Sequence, residues 1–81
     1  MSYRTQVHSD WRGREGTAFH IRHKDGSTIY LYVPDDRSGA RYESQGAAFN
    51  CSRRTAYATI VNARNCSGTE ISAVRYRYRA Q

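Results

Sequence analysis

The chain has 81 residues, with 13 cationic side chains against 7 acidic ones for a formal charge of +6. A domain of that size buries only a modest share of its surface, which excludes a multi-domain enzyme and leaves stability to a small core or to a partner. No basic-then-apolar leader and no long apolar run is found in the sequence, so a single small basic domain spanning residues 1–81, cytoplasmic and without membrane association, is expected.

Tyr3, Thr5 and Val7 alternate with Arg4, Gln6 and His8, which predicts a first strand ending at the polar turn Asp10-Trp11-Arg12-Gly13. Residues 17–23 and 28–33 are two β-rich runs around Lys24-Asp25-Gly26-Ser27, a hairpin pattern. A two-residue Asp25-Gly26 loop would pair Arg22 with Ile29 and His20 with Leu31, mixing polar and apolar side chains on both faces. A three-residue Lys24-Asp25-Gly26 loop, with Gly26 in the left-handed bulge position, instead pairs Ile21 with Ile29 and Phe19 with Leu31. The hairpin then has one dry face and one basic-aromatic face carrying His20, Arg22, Thr28, Tyr30 and Tyr32.

Pro34-Asp35-Asp36 closes the hairpin, and residues 34–49 are rich in Gly, Ser and Ala, so they read as a long loop with room for a short strand at 40–43. Helical spacing runs from Arg53 to Asn65, with Ser52 or Asn50 as N-cap and Gly68 as stop signal. Ala56, Tyr57, Ile60, Val61 and Arg64 fall on one side of it, with Thr55, Ala58, Asn62 and Asn65 largely opposite. Residues 73–79 alternate cation and aromatic with the period of a strand. The expected fold class is therefore α+β, a small antiparallel sheet of three to five strands with one helix on one face, ordered β-β-β-(β)-α-β.

Three features could carry function. Arg75, Arg77 and Arg79 form a ladder with a repeat of about 6.7 Å, which suits phosphates or a row of carboxylates. Ile71 and Ala73 share the parity of those arginines, which marks a mixed face. Arg22, Tyr30 and Tyr32 on the hairpin extend the ladder into one continuous surface if the last strand pairs beside the hairpin, with rings for base stacking. Arg53 and Arg54 sit in the first helical turn, where the macrodipole is already positive; they require a nearby anion, either a bound phosphate or Glu43, Asp35 or Asp36. Twelve of the 13 cations are arginine and only Lys24 is lysine, a skew toward planar bidentate anion contacts that genomic base composition can also produce.

His20 and His23 point to opposite faces of a regular strand, and Cys51 and Cys66 stand about 22 Å apart if the chain between them is helical, so neither a metal site nor a disulfide is expected. No phosphate loop, nucleophile elbow or paired carboxylates occur, and no catalytic residue or cofactor is assigned. The expected function is a non-catalytic module that binds nucleic acid or a nucleoprotein through Arg22, Tyr30, Tyr32, Arg53, Arg54, Arg75, Arg77 and Arg79. The alternative is a small inhibitor or adaptor, of the kind carried by phages and mobile elements, docking on an acidic protein surface. A metal-independent ribonuclease built from histidines, arginines, tyrosines and Glu43 ranks below both. A second copy of the chain is a further partner to consider, because the aliphatic stock is only Leu31, four isoleucines and four valines.

Overall fold

The computed structural model describes residues 15–77. In chain order the elements are β1 (Glu15–Arg22), β2 (Thr28–Pro34), β3 (Ala40–Ser44), β4 (Ala47–Cys51), α1 (Arg53–Arg64) and β5 (Glu70–Arg77). All five strands join one antiparallel sheet in the order β4-β3-β2-β1-β5, with α1 packed on one face. The strand expected over residues 3–8, and Arg79, lie outside the described residues.

The first hairpin follows the register that its side chains demand: Ile21 faces Ile29 and Phe19 faces Leu31. His23 and Ser27 close a three-residue loop in which Gly26 takes φ +90°, a value open to glycine at little cost. Farther along the pair, a Cβ on Gly16 would stand 2.3 Å from the Val33 carbonyl oxygen and 2.6 Å from Pro34 Cα, so only glycine lets β1 and β2 approach this closely.

Residues 34–49 are not a long loop. Only 35–39 are irregular before a second hairpin, β3–β4, turns through Gln45 (φ +49°) and Gly46 (φ +86°), a two-residue connection with both central residues left-handed. Gln-Gly is a weaker turn signal than Asn-Gly, and Ala47-Ala48 has low strand propensity, which is why composition points to a loop. What pairs these strands is tertiary: Tyr42 and Ala40 pack into the core while β3 completes the ladder of β2.

Ser52 caps α1, its hydroxyl oxygen accepting the Thr55 N–H at 3.0 Å. The buried residues of α1 are Ala56, Ile60 and Ala63, packed on Ile21, Leu31, Val33 and Ala40. Of the apolar side read from the sequence, Ala56 and Ile60 face the core and Tyr57, Val61 and Arg64 do not. Tyr57 and Val61 are 44% and 53% exposed and Arg64 is exposed, because the small side chains of Ala56 and Ala63 let the helix sit close to the sheet on that stripe. Both cysteines are free: burial pushes the Cys51 thiol pKa up, and the exposed Cys66 thiol donates to the Asn62 carbonyl at 3.3 Å. Among the described residues no helix is long and apolar enough to cross a membrane.

Candidate functional site

Strand register decides which arginines can act together. β5 does pair beside the hairpin, on β1, with Thr17 opposite Arg75 and Glu15 opposite Arg77. Paired residues in an antiparallel ladder share a face, so Arg75 lies on the helix side with Phe19, Ile21, Ile71 and Ala73. Arg22, Tyr30 and Tyr32 lie on the other side. The continuous surface joining ladder and hairpin is therefore corrected: the two sets stand on opposite faces, as the parity of Ile71 and Ala73 requires.

The hairpin side is also less open than expected. Tyr32 is only 7% exposed, with its ring packed edge-on to Tyr76 at 5.9 Å and Ala18, Tyr30 and Ala48 around it. Tyr30 is half-buried and stacked on His20, with centroids 4.5 Å apart and planes within 4°. Register lines up Glu43, Tyr30, His20 and Ser72 across four strands, the residue types of acid-base chemistry. Glu43 is only 4% exposed, while His20 is half-buried, with its Nε2 buried and without a hydrogen-bond partner. Arg22 is exposed at the end of β1. His23, beyond β1, meets Thr69 Oγ1 at 3.4 Å, and among the described residues no three His, Cys, Asp or Glu side chains converge on a metal position.

The helix side gathers cations where β2 ends. Pro34 is buried, and its carbonyl accepts a 2.9 Å hydrogen bond from Arg53 Nη1. The next residue, Asp35, is held by its N–H on the Glu15 carbonyl at 2.8 Å and receives both terminal nitrogens of Arg75, Nη1 at 2.9 Å and Nη2 closer still. Arg75 Nη1 also donates to Thr17 Oγ1 at 3.1 Å. The Arg75 hydrogen bonds and charge, with a contribution from Arg53, hold the Asp35 carboxyl below the usual carboxylate range, and the same pairing raises Arg75. Arg53 is fixed a second time, its guanidinium carbon 5.6 Å from the Tyr57 ring centroid.

Asp35 is thus the counterion of Arg75 and lies in the field of Arg53, with Arg54 not paired to it; Glu43 is on the other face, and Asp36 accepts the Ser38 N–H. No acidic residue stands in that turn, and Arg54, beside Arg53, is exposed. Among the described residues the side chains of Arg22, Arg37, Arg54 and Arg64 make no hydrogen bond or ion pair. Of the sequence-derived set, the structure groups Arg53 and Arg75 around Asp35, puts Arg54 next to them and Arg77 two residues along β5, and leaves Arg22, Tyr30 and Tyr32 apart. Thr17, the Pro34 carbonyl and Tyr57, which fix these guanidiniums, become visible only with the β1–β5 register and the helix placement. The chain matches no protein-family model, no curated protein and no solved structure.

Proposed function

We propose that this protein is a non-catalytic module that binds nucleic acid, alone or within a nucleoprotein, chiefly through phosphate contacts from the helix-start end of the sheet. The observation that carries this reading is the grouping of Arg53, Arg54 and Arg75 at a capped helix N-terminus whose first turn lacks acidic residues. Free amides, the helix dipole and guanidiniums all favour an anion there. Arg53 and Arg75 are positioned by protein contacts, while Arg54 is free to engage a ligand. Because the rings of Tyr30 and Tyr32 are occupied within the fold, phosphate contact rather than base stacking dominates, and discrimination between sequences is weak.

The test is fluorescence anisotropy of nuclease-treated, high-salt-purified protein with single- and double-stranded DNA and RNA. Arg54→Glu is expected to weaken binding to unrelated sequences by similar factors, and equal affinity of this variant and the wild type at low salt contradicts the reading. The inhibitor-like alternative uses the same arginines against an acidic protein surface; one stoichiometric protein recovered after nuclease treatment favours it.

A further inference from the structure

Among the described residues, the edge formed by β5 is longer and less guarded than the opposite edge, β4. His23 N–H donates to the Ser27 carbonyl and Asp35 N–H to the Glu15 carbonyl, so the odd-numbered residues of β1 direct their backbone groups at β2. Even-numbered residues then serve β5, through the pairs Gly16–Tyr76, Ala18–Val74 and His20–Ser72. It follows that Ile71, Ala73, Arg75 and Arg77 direct N–H and C=O outward, and among the described residues no strand receives them. Eight residues pair with β1 one to one, without a bulge, proline, glycine or lysine, the devices that usually protect an edge. The opposite edge, β4, is five residues long and runs through Ser52 straight into α1.

Apolar surface collects at the same edge. Val74 is 61% exposed on one face. On the other, Ala73 is exposed beside a groove lined by Phe19, Ile71, Thr69, Ser72 and, from α1, Arg64; the exposed Tyr57 stands edge-on to Phe19 with ring centroids 6.4 Å apart. The charge nearest the centre of this edge is a weak guard, because Asp35 already neutralises Arg75; the other charges, Glu70 and Arg77, stand at the two ends of the strand.

We propose that β5 is a self-association edge, pairing antiparallel with β5 of a second copy about a two-fold axis through Val74 to give a continuous ten-stranded sheet. The outward pattern is self-complementary: its first half is Ile71 and Ala73 and its second half is Arg75 and Arg77. Antiparallel pairing centred on Val74 sets Ala73 against Arg75 of the second copy and Ile71 against its Arg77, so no like charges meet and the aliphatic stem of Arg75 covers a small residue. A slip that centres the axis on Arg75 opposes arginines and is disfavoured. Val74 faces Val74 of the second copy as a non-hydrogen-bonded pair, where side chains approach most closely. The helices fall on one face of the joined sheet, which brings the exposed Tyr57–Val61 stripes toward the junction. This inference goes beyond the nucleic-acid reading and does not depend on it.

Sedimentation velocity on the full chain, free of nucleic acid, tests it. The mass is expected to double between about 5 μM and about 500 μM, and more readily at high salt, which screens repulsion between two +6 copies; nucleic-acid binding has the opposite salt dependence, so the two ideas fail separately. Ala73→Pro removes an outward N–H on an edge strand, where proline is tolerated, and should weaken dimerisation at least about tenfold. In a C51A/C66S background, V74C should form a symmetric disulfide under mild oxidation, since the pair's Cα atoms stand about 4.5 Å apart, whereas S72C should not. A monomer at every concentration, a dimer unaffected by Ala73→Pro, or equal cross-linking of S72C and V74C overturns the proposal.

Discussion

Asp35 sets how much of the arginine cluster a ligand can reach. It occupies Arg75 and lies in the field of Arg53, so it competes with any polyanion for the same guanidiniums. Asp35→Asn should therefore tighten nucleic-acid binding, and the salt slope of log K should steepen by about 0.7 for single strands or about 0.9 for duplex DNA, one added phosphate contact. The same carboxylate carries a pH signature. Its folded pKa is depressed, so its contribution to stability is complete above the ordinary carboxylate range and lost as pH falls through the lowered folded value. Urea midpoints across that acid limb should fall less in Asp35→Asn than in wild type. Gly16 makes the complementary steric point: Gly16→Ala drives a methyl into the Val33 carbonyl and should cost about 1–3 kcal/mol in chemical denaturation. None of this is legible from residue types alone, because the Asp35–Arg75 and Gly16–Pro34 encounters exist only once register is fixed.

At the level of elements, legibility follows from how local the determinants are. The first hairpin is readable because Phe19, Ile21, Ile29 and Leu31 fall on one face in one register alone, and α1 is readable from Ser52 and its periodicity. The β3–β4 hairpin is not, since Ala40, Ala47 and Ala48 have weak preferences and their pairing is enforced by the neighbouring strand and the core. The inner stripe of α1 misleads because alanines rather than Tyr57 and Val61 face the sheet, a choice made by packing distance and not by hydrophobicity. Two measurements follow. Leu31→Ala, fully buried beneath the helix, should destabilise by about 2–5 kcal/mol, as a core cavity does. Ser52→Ala should cost about 1 kcal/mol through loss of the cap, and it should weaken anion binding at the helix start by loosening the first turn. Equal unfolding midpoints for Ser52→Ala and wild type would show that the cap is dispensable.

Across the whole molecule, the sheet separates two chemistries. One face holds a largely closed set of tyrosines with His20, Arg22 and Glu43, and the other holds the helix, its capped start and the cations around Asp35. The sequence makes a candidate anion-binding surface visible through its arginine excess and its unfavourable first helical turn, but not which of the candidate arginines share a face; the odd parity of Ile71 with Arg75 is the one clue. On the proposed reading, a basic cluster at one end of a small sheet, with the rings of Tyr30 and Tyr32 occupied within the fold, should bind phosphates with an affinity governed by ionic strength and little by sequence. The most direct measurement is fluorescence anisotropy with unrelated single- and double-stranded DNA and RNA oligonucleotides across a salt series, for wild type and Arg54→Glu. Micromolar or tighter binding at low salt for at least one polymer, a steep negative salt slope and a uniform loss of affinity in the variant are expected. No binding at the lowest salt, or binding indifferent to salt and to Arg54, would contradict the proposed reading.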